Sequence, residues 1–433
     1  MQQTKSSDVT TATKHETSRR DLVQALGAGA IGLGVSLAGA ELVNAAPEPF
    51  AMAPATAEVV PFQVKFYPTP IDDLKRRLDR ARWPDRETVG DRSQGAPLAE
   101  VRSLIDYWRT SYDFDRLGNR LNAFPQYRTQ IDGLGIHFLH VRSQHENALP
   151  IILTHGWPGS VVEFLKVIGP LTDPTAHGGR AEDAFHVVIP SLPGYGFSDK
   201  PNEAGWGLPR IARAWAVLMD RLGYQDWVAQ GGDWGAGVTT WMAKQHVAGL
   251  RAIHLNLPIL FPPPIEGQPS DEEMTSIGQL VEFGNVNSGY AKLQSTRPQT
   301  IGYGLHDSPV GQAAWIYEKF SEWTQSSGDP GEVLSRDEML DNITLYWLTD
   351  TATSSARLYA ESFASDFSTQ ILDLPVAVSV FPGEMYRPLK IWGERVFSGL
   401  FYWNEVDKGG HFAAFEQPDI FVTELRTALR ALR

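Results

Sequence analysis

The apolar positions of this chain follow two rhythms that alternate along much of its length. Compact apolar runs occur at Pro150-Ile151-Ile152-Leu153, Phe185-His186-Val187-Val188-Ile189-Pro190, Trp227-Val228-Ala229 and Val376-Ala377-Val378-Ser379-Val380. Runs of this kind, bounded by turn residues, read as strands covered on both faces. Between them the apolar spacing lengthens to three and four. It predicts helices through Phe164, Leu165 and Ile168, over residues 211–222, and from Val238 through Met242. Alternating strands and helices predict an α/β fold with a doubly wound, mostly parallel sheet and its site at the C-terminal ends of the strands. A hairpin is expected from Gln126–Ile131 and Leu134–Val141 around Asp132-Gly133. The sheet resumes at Asn404-Glu405-Val406, and residues 420–432 form an amphipathic closing helix.

Two regions break the alternation. From Leu255 to about Asp350 strand signals are few, helical spacing dominates and aromatics are frequent, as expected of a cap inserted over the site. Ahead of the core, residues 62–66 alternate as a strand ended by Pro68 and Pro70. A helix through Ile71 and Leu78 follows, with acids early and Arg76, Arg77, Arg80 and Arg82 late. Trp83-Pro84-Asp85 separates it from a second helix over residues 98–112. The expected division is a linker at 46–60, an N-terminal segment at 61–123, core at 124–260, cap at 261–350 and core again at 351–433. Residues 1–45 read as a twin-arginine export signal of a bacterium: Arg19-Arg20 precede an apolar run from Leu26 to Ala40 and small-residue endings. That run is too short for a stable membrane span.

Composition narrows the function. A length of 433 residues suits one large α/β domain with insertions. The net charge of −13 comes from scattered acidic residues with no basic stripe, which argues against nucleic-acid binding. Cysteine is absent, so disulfides, thiolate metal sites and cysteine nucleophiles are all excluded.

The chemistry centres on Gly231-Gly232-Asp233-Trp234-Gly235, between a predicted strand and a predicted helix. This is the nucleophile elbow of α/β-hydrolases with aspartate in place of serine. A carboxylate is a poor acyl acceptor but a competent nucleophile at a strained or activated sp³ carbon, and the resulting ester can be cleaved by water. Opening an epoxide or displacing a halide fits. The histidines after Asp233 are His246, His254, His306 and His411, and only His411, in Gly409-Gly410-His411-Phe412, follows a strand-like run near the C-terminus. Its role would be to activate water. Its acid partner is Glu384, in Phe381-Pro382-Gly383-Glu384, or Asp407, with loop position favouring Glu384. Oxyanion donors are expected at the backbone N–H groups of Trp234 and of Trp157 in the turn His155-Gly156-Trp157-Pro158, which His155 props. Tyrosine phenols from the cap can serve the leaving alkoxide; Tyr290, Tyr303, Tyr317, Tyr346 and Tyr359 are candidates that the residues alone do not separate.

The chain resembles the microsomal-type epoxide hydrolases, the group that includes the insect juvenile-hormone epoxide hydrolases. The likeness runs from about Phe62 to the C-terminus. It rests on His155-Gly156-Trp157-Pro158-Gly159-Ser160, Gly194-Tyr195-Gly196-Phe197-Ser198, the Asp233 elbow, Asp307-Ser308-Pro309-Val310-Gly311 and Gly409-Gly410-His411-Phe412-Ala413-Ala414-Phe415-Glu416. The resemblance implies an α/β-hydrolase fold with a helical cap and a wrapping N-terminal segment. It also implies Asp233 as nucleophile, His411 as base, Glu384 as its partner, and Tyr290 and Tyr359 as the ring-opening pair. The reaction it implies takes a small-molecule epoxide and water to a vicinal diol and calls for no metal or organic cofactor. Where the mammalian members carry a membrane anchor, an export signal is expected here instead, and a homodimer stays open. The rivals are a haloalkane dehalogenase with the same elbow, whose halide the chain's thirteen tryptophans could cradle, and a non-catalytic ligand-binding module on the same scaffold. Trp315, Trp323, Tyr346 and Trp347 suggest an apolar pocket.

Overall fold

The residues described by the computed structural model are 58–260, 262, 267–363 and 372–433. The expected export signal and residues 46–57 of the expected linker lie outside them. In chain order the described part starts with β1 (Val60–Phe62), α1 (Pro68–Asp79), α2 (Leu98–Thr110) and α3 (Phe114–Asn122). The core then runs β2 (Gln126–Ile131), β3 (Leu134–Val141), β4 (Leu149–Thr154), α4 (Leu165–Thr172), β5 (Phe185–Pro190), α5 (Leu208–Arg221), β6 (Trp227–Gly231), α6 (Trp234–Lys244) and β7 (Leu250–Leu255). A helical insertion follows: α7 (Asp271–Glu282), α8 (Gly289–Thr296), α9 (Pro298–Asp307), α10 (Pro309–Trp323), α11 (Arg336–Leu348) and α12 (Ala352–Ser362). The core closes with β8 (Leu372–Val380), α13 (Lys390–Val396), β9 (Phe397–Glu405), α14 (Ala413–Glu416) and α15 (Pro418–Leu429).

The strands form one sheet in the order β1-β2-β3-β5-β4-β6-β7-β8-β9. From β5 through β4 to β9 every pairing is parallel; β1, β2, β3 and β5 pair antiparallel. The doubly wound, mostly parallel expectation therefore holds for the half of the sheet that carries the elbow. Ile151, Ile152, Leu153, Val187, Val188 and Ile189 are fully buried, because helices cover both faces and leave no side for alternation. The hairpin matches its expected limits: Ile131 faces Leu134, with positive φ at Asp132 (51°) and Gly133 (77°), as a tight primed turn requires.

Three differences have physical causes. The first strand ends at Phe62 rather than spanning 62–66, because the Asn122 side chain takes both the N–H and the C=O of Val64, at 2.9 and 2.8 Å. Helix α3 was not expected; Asp113 caps it by accepting the Asp115 N–H at 3.0 Å. Strand β7 was also missed, since Arg251 and His254 dilute a six-residue run that becomes central only through pairing with β6 and β8.

The N-terminal helices bind the insertion through α10 and α11, and the buried polar links are on α11. Asp341 on α11 is fully buried and accepts from Tyr112 (2.8 Å), Arg116 (3.2 Å) and Arg120 (2.6 Å). Trp108 Nε1 donates to Thr344 at 2.9 Å and Tyr107 to Asp337 at 2.9 Å. The Asp307–Gly311 motif is a helix start: Ser308 Oγ accepts the Gly311 N–H at 3.0 Å, and Arg77 holds the Asp307 carbonyl at 2.8 Å. No helix among the described residues is long and apolar enough to cross a membrane. Removing the Asp341 carboxylate strands two guanidinium groups that keep part of their hydration. Asp341→Ala should therefore cost about 2–3 kcal/mol of unfolding free energy, toward the low end for a broken buried pair, and urea titration of parent and variant checks this.

Candidate active site

Strand β6 turns into α6 over Gly231 to Gly235, and Asp233 sits at the apex with φ 52° and ψ −130°. An aspartate there is strained by roughly 1–3 kcal/mol, held in place by its surroundings. Glycine on both sides is a steric necessity: a Cβ on Gly231 would strike the Gly235 carbonyl, and one on Gly235 would strike that of Thr154. The tight turn aims the Asp233 carboxylate away from the sheet toward the insertion.

One carboxylate oxygen meets the β4 turn. The Trp157 N–H donates to Asp233 Oδ1 at 2.8 Å. His155 props that turn, as expected: its Nε2 accepts the Leu192 N–H at 3.2 Å, so Nδ1 carries the proton and donates to the Gly156 carbonyl at 2.9 Å. Burial pushes the His155 pKa down to about 4, which keeps the ring neutral. Helix α11 holds the same turn from above. Asn342 Nδ2 donates to Pro158 O at 2.7 Å, Ser160 donates to Asn342 Oδ1 at 2.7 Å, and the Tyr346 hydroxyl donates to Gly159 O at 2.8 Å. Trp234 opens α6 immediately behind Asp233.

The other oxygen faces His411. Nε2 of His411 is 3.4 Å from Asp233 Oδ2, and Nδ1 is 2.9 Å from Glu384 Oε2. Glu384 is the partner that geometry brings in, its side chain 1% exposed, whereas Asp407 lies at the surface. The loops carrying the two residues are laced together by a Gly383 N–H to Gly409 O bond of 3.0 Å. Burial disfavours the charged imidazole, but the Glu384 and Asp233 carboxylates outweigh it and hold the His411 pKa well above the usual histidine range. Glu416, quoted above only as the end of a motif, clamps this loop by accepting the N–H groups of Gln325 (2.9 Å), Gly410 (3.1 Å) and Phe412 (3.0 Å).

Tertiary contacts also separate the five tyrosines. Tyr303 is 71% exposed, Tyr317 donates to Glu100 at 2.9 Å, and Tyr346 is committed to Gly159. Tyr290 and Tyr359 are buried with ring centroids 5.8 Å apart. Tyr290 stacks on Trp157 at 5.2 Å, and Tyr359 meets the Trp234 ring edge-on at 4.7 Å. The Tyr359 hydroxyl is buried without a hydrogen-bond partner among the described residues. Burial, reinforced by the Asp233 charge, raises both phenols well above the usual tyrosine range, so both stay protonated. Trp315 and Trp323 complete the aromatic wall around Trp157, at 6.5 and 6.3 Å. Trp347 instead lies under the Arg77 guanidinium of α1. Tyr359 belongs to α12, beyond residue 350, a helix that packs on α8 and α9 of the insertion.

A half-buried carboxylate on an α/β-hydrolase elbow, faced by a histidine–glutamate pair and two phenols, defines an α/β-hydrolase with a carboxylate nucleophile site. Residues 59–164 match the family model for the epoxide hydrolase N terminus, and residues 150–274 that for the α/β-hydrolase fold. A Stigmatella aurantiaca (strain DW4/3-1) protein that bears the epoxide hydrolase name provisionally is 63% identical over 376 residues, covering 87% of this chain and 86% of its own. Epoxide hydrolase 1 of Sus scrofa is 35% identical over 406 residues, covering 86% and 89%. The solved structure of Aspergillus niger epoxide hydrolase superposes with a TM-score of 0.79 at 31% identity, covering 87% of this chain and 97% of that one. The chain belongs to the epoxide hydrolase family.

The proximity of Asp233 to His411 has an electrostatic consequence. Asp233→Asn removes one of the two anions that stabilise the imidazolium, so the His411 pKa should drop toward the usual histidine range. Imidazole ¹⁵N titration of parent and variant reads it directly.

Proposed function

We propose that the protein hydrolyses apolar epoxides to vicinal diols through an ester on Asp233. The reading is carried by one arrangement: a carboxylate with one oxygen on the Trp157 N–H and the other toward His411, below the Tyr290–Tyr359 pair. The phenols donate to the epoxide oxygen, an Asp233 oxygen attacks a ring carbon, and the C–O bond breaks as a phenol proton passes to the alkoxide. Asp233 is then a neutral ester. His411 has lost a neighbouring anion, so its imidazolium yields its proton more readily, which restores the phenol and leaves a neutral ring free to act as base. It takes a proton from water as the water oxygen attacks Cγ of the ester. The Trp157 and Trp234 N–H groups serve the oxyanion, and the diol leaves with the proton His411 took as the Cγ–O(alkyl) bond breaks; the Asp233 acid so formed passes its proton to His411, restoring carboxylate and imidazolium. Glu384 orients His411 and supports its charge throughout. Two phenols above Asp233 favour an epoxide over a haloalkane, because a leaving alkoxide needs a proton and a halide does not.

The aromatic wall of Trp157, Trp315 and Trp323 supports an apolar substrate. Electrospray mass measurement after mixing His411→Gln with styrene oxide should show the protein gaining the mass of one epoxide. Adding Tyr359→Phe should slow that gain by about tenfold or more. A folded variant that gains no mass from an epoxide the parent consumes defeats the mechanism.

The paired arginines Arg19-Arg20 support export through the twin-arginine route. In a bacterial host, replacing both with lysine should hold the protein in the cytoplasm, as cell fractionation would reveal; unchanged export would rule this route out.

A further inference from the structure

The mechanism leaves an acid that borders Asp233 and His411 unused. Glu163 lies one turn beyond the Trp157–Ser160 segment, at the third position of a capping box in which its Oε1 accepts the Ser160 N–H at 3.1 Å. For a surface helix start this would be capping and nothing more. Here the helix start faces inward. Glu163, Asp233, His411, Asn256 and Gly232 together line a cavity of about 20 Å³ beneath the elbow. Glu163 and Asp233 both keep some accessible surface though the protein surrounds them, and both border this space. A cavity that size has room for one water molecule, which needs two to four polar partners to be held. Gln230 fixes Asn256 by donating to its Oδ1 at 2.7 Å. Gly159 makes room for the acid, since a Cβ there would occupy the place of Glu163 Oε1.

We propose that this cavity holds the water that hydrolyses the Asp233 ester, with Glu163 and His411 as its two proton acceptors. The inference rests on the epoxide hydrolase reading and adds to it the residue that orients the second substrate. One water proton points to His411 Nε2 and is the one transferred. The other points to the free oxygen of Glu163 and stays on the water oxygen. A lone pair is thereby left aimed at Cγ of the ester. Attack forms the Cγ–O(water) bond, and collapse breaks the Cγ–O(alkyl) bond, sending the diol away with the proton that His411 received.

The electrostatics couple Glu163 to His411 and Asp233. Burial pushes the Glu163 carboxyl up to about 8, with Asp233 and Glu416 opposing its ionisation and the His411 charge favouring it. Ester formation neutralises Asp233 and so removes one opposing charge. Release of the His411 proton in the ester state acts the other way, so the protonation of Glu163 is tied to that of His411 rather than to Asp233 alone.

Glu163→Gln is the test, because the amide carbonyl can keep the Ser160 bond while its NH₂ cannot accept from water. Ester formation and ester breakdown are followed separately, by quenched-flow mass measurement with styrene oxide. The expected result is ester formation within about threefold of the parent and ester breakdown about tenfold or more slower. In the steady state kcat and KM should then fall together while kcat/KM holds. Glu163→Asp, which keeps an acceptor on a shorter arm, should fall between parent and Gln. An unchanged breakdown rate, or a loss confined to ester formation, overturns the role assigned to Glu163 while leaving the epoxide reading intact. If no ester appears in any of these proteins, His411→Gln included, the epoxide reading falls and this inference with it.

Discussion

A carboxylate on the apex of a left-handed backbone turn is the constraint around which the rest of the site is arranged. Asp233 can adopt a positive φ only because neighbours on every side hold it there: glycines with no room for a side chain, a β4 turn that donates to one carboxylate oxygen, and a histidine facing the other. Strain of this kind persists only where surrounding contacts outweigh it. The parallel strands β4, β6, β7 and β8 provide that support. They are covered on both faces, and they bring their C-terminal loops to one edge of the sheet, where Trp157, Asp233 and Glu384 all arise.

The second theme is a surplus of carboxylates around one imidazole. Asp233 and Glu384 contact His411, Glu416 grips its flanking amides, and Glu163 lies across the cavity. Burial pushes Glu163 up to about 8 and Glu416 up to about 7, while the carboxylates hold His411 protonated. Their charges are therefore coupled, and converting Asp233 to a neutral ester redistributes protons among the others. A resting state that favours the imidazolium and an ester state that favours the free base follow from the same arrangement.

Helix α11 connects the outer segment to the chemistry. Its Asp341 and Thr344 are held by the N-terminal helices, while Asn342 and Tyr346, on the same short helix, hold the carbonyls of Pro158 and Gly159. The N-terminal segment has no side chain in the site, yet it steadies the turn that bonds Asp233. Its presence in the fold is thus linked to the geometry of the nucleophile through α11.

Much of this was legible in the residues themselves. Compact apolar runs alternating with helical spacing announced the parallel sheet, and Gly-x-Asp-x-Gly at a strand end announced the elbow, because local sterics permit little else there. His411 followed from chain order and its glycines. What local pattern could not reach was every choice decided by contact across the fold. Loop position favours Glu384 over Asp407 without deciding it, and the residues alone leave Tyr290 and Tyr359 level with three other phenols; both choices depend on which side chains are buried beside Asp233 and which are already bonded elsewhere. Strand β7 is central only because neighbours pair on both edges, and β1 stops at Phe62 only because Asn122 reaches Val64 from 58 residues away. Glu163 carried a sequence signal, Ser160-x-x-Glu163, that reads as a helix cap. Only the inward orientation of that cap, set by the packing of β4 against β6, turns the same carboxylate toward the elbow.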